Sequence, residues 1–256
     1  MIEIQGLRKT FGQLTAVDDL SLTVESSRIT ALLGPNGAGK TTTLSCLVGL
    51  LEPDTGTILV DGQDMRRDPV AAKRLISYVP ETATLYQALT PDEFLALRGR
   101  LFDMSEPAIA SGIERLLGGF GLLDRRHEPM VGFSKGMTQK VAIAGALLTE
   151  PRVLILDEPL SGLDVQTTLV LKAVLRAFTD RGGAVLYCSH LLDVVEAMAD
   201  CVAVLDQGKV QAVGSMDELR AHTGGETSRL EELFRELTRA ADPEVKAREL
   251  LGPPKR

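Results

Sequence analysis

The 256-residue sequence has no Trp, only three Tyr and three Cys, and no long apolar run. Because Cys46, Cys188 and Cys201 are far apart and odd in number, they indicate neither a disulfide framework nor a zinc site, and we interpret them as reduced core thiols. Apolar runs such as residues 153–156 end far short of the roughly 18 residues that a membrane span needs. Residues 1–10 lack the basic start and apolar core of a signal peptide. We therefore expect a cytosolic chain that does not cross a bilayer by itself.

Positive charge is also in short supply. The sequence has 28 Lys and Arg against 35 Asp and Glu, a net charge of -7, which gives no general attraction to nucleic acid. Apolar residues make up 44% and the mean hydropathy is +0.08, values typical of a globular rather than a disordered chain. The length suits one or two domains, so any function must be inferred from local motifs.

The pattern of apolar residues predicts an α/β core with a helical insertion. Alternation at Leu20, Leu22 and Val24 predicts antiparallel strands over residues 2–24, with turns at Phe11-Gly12 and Asp18-Asp19. Short strands are predicted at 28–33, 57–60, 76–79, 153–156, 184–188 and 202–205, and helices at 43–51, 91–150 (several), 165–179 and 191–199. Buried strands alternating with helices are typical of a mostly parallel sheet.

The C-terminal part of the sequence is more polar. A hairpin turn is predicted at Gln207-Gly208, and the core is expected to end near Val213. Apolar residues recur at helical spacing from Leu230 to Leu237 and predict one amphipathic helix, packed either on its own core or on a second subunit. Pro253-Pro254 and the last residues are expected to be loose. The predicted division is a main domain at 1–214, with a helical subdomain inserted at about 82–150, and an extension at 215–256.

A Gly-rich loop joins the strand at 28–33 to the next helix. Its pattern, Gly34-x-x-x-x-Gly39-Lys40-Thr41, matches the phosphate-binding loop, whose backbone amides surround a polyphosphate at a helix N-terminus. Lys40 would neutralise the β and γ phosphates of ATP, and the Thr41 hydroxyl would bind Mg²⁺. A chance match would arise in about one chain in a hundred, and the strand-loop-helix context argues against it. The predicted ATP-binding residues are Gly34, Pro35, Asn36, Gly37, Ala38, Gly39, Lys40, Thr41 and Thr42.

Two carboxylates follow the apolar strand at 153–156. In a parallel sheet this strand would end beside the phosphate-binding loop. Asp157 would then bind Mg²⁺ through water, and Glu158 would orient or deprotonate the water that attacks the γ phosphate. The alternative is an acidic strand end at the surface, which the nearby loop makes less favourable.

These motifs, in this order, resemble the nucleotide-binding subunits of ABC transporters over roughly residues 2–214. Ser134-Lys135-Gly136-Met137 stands where that family has its Leu-Ser-Gly-Gly-Gln signature, and Ser161-Gly162-Leu163-Asp164 stands where it has its D-loop. The Ser-Lys-Gly-Met form is similar to that of many bacterial exporter-type ATPases. The resemblance implies a P-loop NTPase core with a mostly parallel sheet, an antiparallel β subdomain and an inserted α-helical subdomain.

The resemblance also implies roles for three further residues. His190 matches the switch histidine that contacts the γ phosphate, although a histidine that begins a helix is often a cap. Phe11 would stack on adenine where the family usually has Tyr, the alternative being a core position. Glu81 stands where many members have Gln and would contact Mg²⁺ or the attacking water. Lys135 replaces the first Gly of the signature and would either add a cation near the γ phosphate or remain solvated.

By the same resemblance, the protein would be an Mg²⁺-dependent ATPase that dimerises head to tail with a second copy or a paralogue. Each signature would cover the phosphate-binding loop of the other chain, and both sites of a homodimer would be active. Its partner would be a separate membrane permease, which would dock on the helical insertion, with residues 81–90 as a hinge. The permease would hold the chain at the cytoplasmic face of the membrane. The resemblance favours an exporter. Two alternatives are weighed against this, a soluble ABC ATPase that acts on nucleic acid or ribosomes and a degenerate cassette that binds ATP without hydrolysing it. One cassette in the chain disfavours the first, and Glu158 with His190 disfavours the second.

Overall fold

The protein is described from a computed structural model, which covers residues 1–222 and 230–238. Within these residues, ten strands form two sheets. The strands of the first sheet, which has the order β2-β1-β4-β5 and is antiparallel, are β1 (Ile2–Phe11), β2 (Leu14–Val24), β4 (Thr55–Val60) and β5 (Gln63–Asp64). This confirms the predicted antiparallel region.

The second sheet carries the phosphate-binding loop and has six strands in the order β10-β9-β3-β8-β7-β6. They are β3 (Ile29–Leu33), β6 (Ile76–Val79), β7 (Val153–Asp157), β8 (Ala184–Cys188), β9 (Cys201–Asp206) and β10 (Lys209–Gly214). All neighbours pair in parallel except β10, which is joined to β9 by the predicted hairpin. Every residue of β3, β7 and β8 is buried, as expected for apolar strands covered on both faces.

Nine α-helices surround the sheets in the described part of the chain. They are α1 (Lys40–Leu47), α2 (Pro69–Arg74), α3 (Pro91–Leu101), α4 (Glu106–Gly119), α5 (Lys135–Leu148), α6 (Val165–Asp180), α7 (Leu192–Met198), α8 (Met216–His222) and α9 (Leu230–Thr238). Helix α3 begins at a capping box of Thr90 and Glu93, with Pro91 in its first turn. Two short 3₁₀ turns, Leu123–Arg125 and Met130–Gly132, lead into α5, so the predicted helical insertion is present.

The C-terminal helix packs on its own chain. Leu230 and Leu233 of α9 are fully buried, and Phe234 and Leu237 pack against the same core cluster as the central sheet. Of the two alternatives for this helix, the structure therefore has the first. Pro253-Pro254 and the other residues beyond 238 lie outside the described part of the chain.

Two local predictions were wrong. The turn predicted at Asp18-Asp19 is a bulge inside β2, where Asp19 has φ 55° and the pairing with β1 shifts register. Helix α1 begins at Lys40 rather than 43, directly after its N-cap Gly39, and it ends at Leu47 rather than 51, just before Gly49 with its positive φ of 68°. Strand β5 and helix α2, which the sequence pattern did not predict, lie between β4 and β6.

Candidate functional site

The phosphate-binding loop depends on two glycines for its shape. Gly39 has φ 103°, and a Cβ at this position would lie 2.4 Å from the Ala16 carbonyl oxygen. A Cβ at Gly34 would lie 2.4 Å from the carbonyl oxygen of Leu205. Since any side chain would collide with backbone at both positions, the loop is held against β2 on one side and β9 on the other. It leads into α1, and the free amides at the N-terminus of such a helix can bind an anion.

Lys40 extends over this loop. Its Nζ donates hydrogen bonds to the carbonyl oxygens of Gly34, at 2.7 Å, and Pro35, at 3.0 Å. Both acceptors belong to the loop, so the ammonium group is kept at the place where a polyphosphate would lie. Thr41 and Thr42 follow in the first turn of the helix and line the same cleft.

Parallel pairing brings the acidic strand end to the same edge of the sheet. Asp157 ends β7, and its Cα pairs with that of Cys188 in β8, the neighbour of β3. Asp157 is only 7% exposed, and burial raises the pKa of its carboxyl group, with the nearby negative charge of Glu158 acting in the same direction. A hydrogen bond with Cys188 partly offsets this rise. A cation beside Asp157 would therefore be strongly favoured, because it would stabilise the ionised form of this buried carboxyl group.

Glu158 and His190 are in direct contact. His190 Nδ1 lies 2.7 Å from Glu158 Oε1, and the Ser189 hydroxyl donates to Glu158 Oε2 at 3.1 Å. Glu158 has φ 47°, a strained conformation for a residue other than glycine, and its amide donates to the Cys188 carbonyl oxygen. The carboxylate is thus aimed by two neighbours, while His190 is largely exposed at the mouth of the cleft.

One cleft of about 580 Å³ collects these groups. It is lined by Phe11, Leu14, Thr15, Ala16, Asn36, Gly37, Gly39, Lys40, Thr41, Thr42, Glu81, Asp157, Glu158, His190 and Gln207. The volume lies within the usual range for sites of small ligands and cofactors. The proposed Mg²⁺ residues Thr41, Glu81 and Asp157 and the two proposed catalytic residues are therefore together.

The sequence interpretation missed four lining residues, Leu14, Thr15, Ala16 and Gln207. They reach the cleft because the hairpin after β1 and the hairpin after β9 approach each other, as the hydrogen bond from the Asp18 amide to the Gly208 carbonyl oxygen demonstrates. No sequence motif indicates that the backbones of these two hairpins lie close together. The nearest signal was the neighbouring Phe11, which is 47% exposed and has Lys9 Nζ 5.7 Å from its ring centroid. An exposed ring at the cleft wall is not a core position.

The signature segment occupies a different place. Ser134 caps α5, its hydroxyl accepting from the Met137 amide at 3.3 Å. A Cβ on Gly136 would lie 2.3 Å from the carbonyl oxygen of Gly162, so the signature packs tightly on the D-loop. Lys135 Nζ donates to the Ser161 hydroxyl at 2.7 Å. Among the residues that the structure describes, none of the signature lines the cleft.

Asp164 fixes the end of the D-loop. It caps α6, accepting from the Thr167 amide and hydroxyl at 2.8 and 2.7 Å, and it pairs with Lys140 of α5 at 3.0 Å. These partners, Thr167 first, hold the pKa of the Asp164 carboxyl group well below its usual range. The D-loop and the signature helix are therefore connected by a charged bridge.

The residues of the cleft fit a magnesium ion bound with a nucleotide. In residues 1–222 and 230–238, no three His, Cys, Asp or Glu side chains are grouped as a metal site of their own. Mg²⁺ does not need such a group when phosphate oxygens and waters supply most of its six ligands, with one or two protein oxygens. Thr41 and the buried Asp157 offer those oxygens.

The described helices contain no segment that is both long and apolar enough to span a lipid bilayer.

Comparison with known proteins identifies the family. Residues 17–161 match the family described as ABC transporter. The chain is 38% identical over 229 residues to the daunorubicin/doxorubicin resistance ATP-binding protein DrrA of Streptomyces peucetius, covering 90% of this chain and 69% of the relative. It is 35% identical to the ABC-type transporter ATP-binding protein EcsA of Bacillus subtilis over 242 residues, 93% of this chain and 97% of the relative.

A solved structure agrees with these relatives. The structure of an ATP-binding subunit of an ABC transporter is 34% identical and superposes with a TM-score of 0.89, over 93% of this chain and 99% of that one. Fold, motifs and relatives thus point the same way. The chain belongs to the ABC transporter family, as one of its ATP-binding, ATP-hydrolysing subunits.

Proposed function

We propose that two copies of this chain, or one copy and a paralogue, form a head-to-tail dimer that binds Mg²⁺ and ATP. The dimer drives export through a separate membrane permease. One observation carries this proposal. The cleft contains the phosphate-binding loop, Glu158 and His190, whereas Ser134 caps a helix outside that cleft. Gly136 of the same signature packs on the D-loop of its own chain. The free amides at the N-terminus of α5 could bind a phosphate of ATP only if a second chain placed its bound ATP there.

Each group in the cleft has a distinct part in hydrolysis. Phe11 stacks on the base, and the loop amides with Lys40 hold the phosphates. When bound, Mg²⁺ neutralises charge that develops on the β and γ phosphates. Glu158 accepts a proton from the attacking water, and His190 keeps the carboxylate turned toward it through the 2.7 Å contact. Glu81 lies at the same end of the cleft and adds a carboxylate near the ion or the water.

Export and a membrane partner are supported by the relatives and by exposed apolar side chains. One relative of this chain, from Ralstonia nicotianae, is the Nod factor export ATP-binding protein I, 34% identical over 225 residues. In the helical insertion, Tyr86, Leu97 and Leu101 are exposed, which suits a surface that a permease covers at the cytoplasmic face of the membrane. The rival interpretation, an ATPase that acts on nucleic acid or ribosomes, gains nothing from these relatives or from a net charge of -7.

The head-to-tail arrangement can be tested by mixing two inactive variants. Lys40→Ala damages the phosphate-binding loop, and Ser134→Arg damages the signature. If each site combines Lys40 of one chain with Ser134 of the other, a mixed dimer keeps one intact site, and ATPase activity should reappear on mixing. Both homodimers remain inactive as controls. Activity that stays absent across all mixing ratios, although mixed dimers form, would contradict the composite site.

A further inference from the structure

A second cavity lies away from the ATP cleft. It has a volume of about 630 Å³ and is bounded by the ends of α4 and α5 on one side and by α6 on the other. Its apolar wall includes Phe120, Leu147, Val174 and Phe178. It shares no lining residue with the ATP cleft in the part of the chain that the structure describes.

One glycine makes room for this wall. A Cβ at Gly183 would lie 2.3 Å from Cε1 of Phe178, so the ring occupies space that a side chain at residue 183 would fill. Phe120 is buried, while Val174 and Phe178 are half-buried and face the open cavity. Binding of an apolar group to this surface displaces water from it, which lowers the free energy.

The rim of the cavity is positively charged. Among the residues that the structure describes, the rim contains Arg115 of α4, Arg152 before β7 and Arg181 at the end of α6, and one carboxylate, Glu150. All three arginines are exposed, and within residues 1–222 and 230–238 no hydrogen bond or ion pair of their guanidinium groups occurs. This differs from arginines such as Arg126, which pairs with Asp92. Unpaired guanidinium groups around an apolar pocket are suited to a carboxylate, sulfate or phosphate.

We propose that this cavity binds a small anionic amphiphile, whose apolar body lies on Phe120, Val174 and Phe178 and whose acidic group pairs with Arg152 and Arg181. The charge of the rim is opposite to that of the chain as a whole, which carries a net charge of -7 and would repel an anion elsewhere. The ligand lies between Phe120, at the end of α4, and the side chains of α6, so it joins the helical insertion to α6.

Titration calorimetry with the full chain and three probes that each carry a ten-carbon chain tests the proposal. Decanoate should bind the wild-type chain, decanol should bind more weakly, and the decyltrimethylammonium cation should not bind measurably. Arg152→Gln with Arg181→Gln should weaken decanoate binding by roughly tenfold or more, because charge-assisted hydrogen bonds are lost, and should leave decanol binding unchanged. Arg66→Gln with Arg67→Gln removes the same charge at another surface and should change neither.

A further variant separates shape from charge. Ala177 lines the cavity on α6, and Ala177→Phe should fill it and abolish binding of both decanoate and decanol. The proposal is overturned if the wild-type chain does not bind decanoate below its micellar concentration, if the two double variants weaken binding equally, or if Ala177→Phe binds normally. Sedimentation with anionic phospholipid vesicles, without binding of free decanoate, would overturn it in favour of a membrane surface.

Discussion

Glu158 Oε1 lies 2.7 Å from Nδ1 of His190, and the two residues come from the ends of adjacent parallel strands, β7 and β8. The contact joins the group proposed to take a proton from water to the histidine that, by resemblance, contacts the γ phosphate. Ser189 holds the other carboxylate oxygen. The position of the base is therefore set by the strand that carries the histidine.

His190→Ala should lower kcat for ATP hydrolysis roughly 10- to 100-fold, because Glu158 would lose the partner that orients it. ATP affinity should change much less than kcat, since Lys40 and the loop amides remain. Ser189→Ala is the matched control, which removes the contact to Oε2 and should cost less. Equal losses in the two variants would argue against a special role for the histidine.

Lys40→Ala should weaken nucleotide binding itself by at least roughly tenfold, because the ammonium group that pairs with the phosphates is gone. A fluorescent ATP analogue titrated into the nucleotide-free chain gives the affinity directly. Lys73→Ala removes the same charge outside the cleft, where Lys73 Nζ donates to the Gly49 carbonyl oxygen, and should bind as the wild type does. A Lys40→Ala variant with normal affinity would contradict the claim that Lys40 and its loop bind the phosphates of ATP.

The carboxylate of Asp54, which lies beside the first sheet, should make the stability of the protein depend on pH. It accepts from the Thr10 hydroxyl and amide, each at 2.7 Å, and from Lys9 Nζ at 3.1 Å, and these bonds lower the pKa of Asp54 to about 2. An unfolded Asp titrates near pKa 3.9. Because the folded pKa is the lower one, the stabilisation is present above about pH 4 and is lost as the pH falls toward 2.

Urea unfolding of the wild-type chain and Asp54→Asn measures this effect. The wild type should be the more stable at pH 7, and the difference should shrink at pH 3. Asp61→Asn is the control, since Asp61 makes only a 3.9 Å pair with the N-terminal amine. A difference between wild type and Asp54→Asn that grows on acidification would contradict the assignment.

Leu233→Ala should destabilise the protein by about 2–4 kcal/mol, because this fully buried side chain of α9 would leave a cavity in the core. The free energy of unfolding from denaturant titration checks it, with the exposed Glu231→Ala on the same helix as a near-neutral control. Dimer formation with ATP should be retained. A variant that is as stable as the wild type but fails to dimerise would mean that the helix serves an interface instead.

The sequence predicted those parts of the fold that depend on local pattern. Strands β3, β7 and β8 are short apolar runs, and the loop from Gly34 to Thr41 follows a strand and opens a helix. These features alone bring Lys40, Asp157 and Glu158 to one edge of the sheet. The resemblance to a family added the signature, Phe11 and His190.

The remaining features depend on contacts between distant segments. A bulge at Asp19 and a turn have the same polar residues, so only pairing with β1 separates them. Ala16 and Gln207 enter the cleft because two hairpins meet beside Gly39, which no local pattern records. The contact of Lys135 with Ser161 likewise required the D-loop to be placed against α5.

The central claim is that Glu158 activates the water that hydrolyses ATP. The most direct measurement is the ATPase rate of Glu158→Gln, made beside its ATP affinity and its oligomeric state. We expect affinity to be kept, a dimer to persist with ATP bound, and turnover to fall by roughly 10²- to 10⁴-fold. A Glu158→Gln variant that hydrolyses ATP at the wild-type rate would contradict the account.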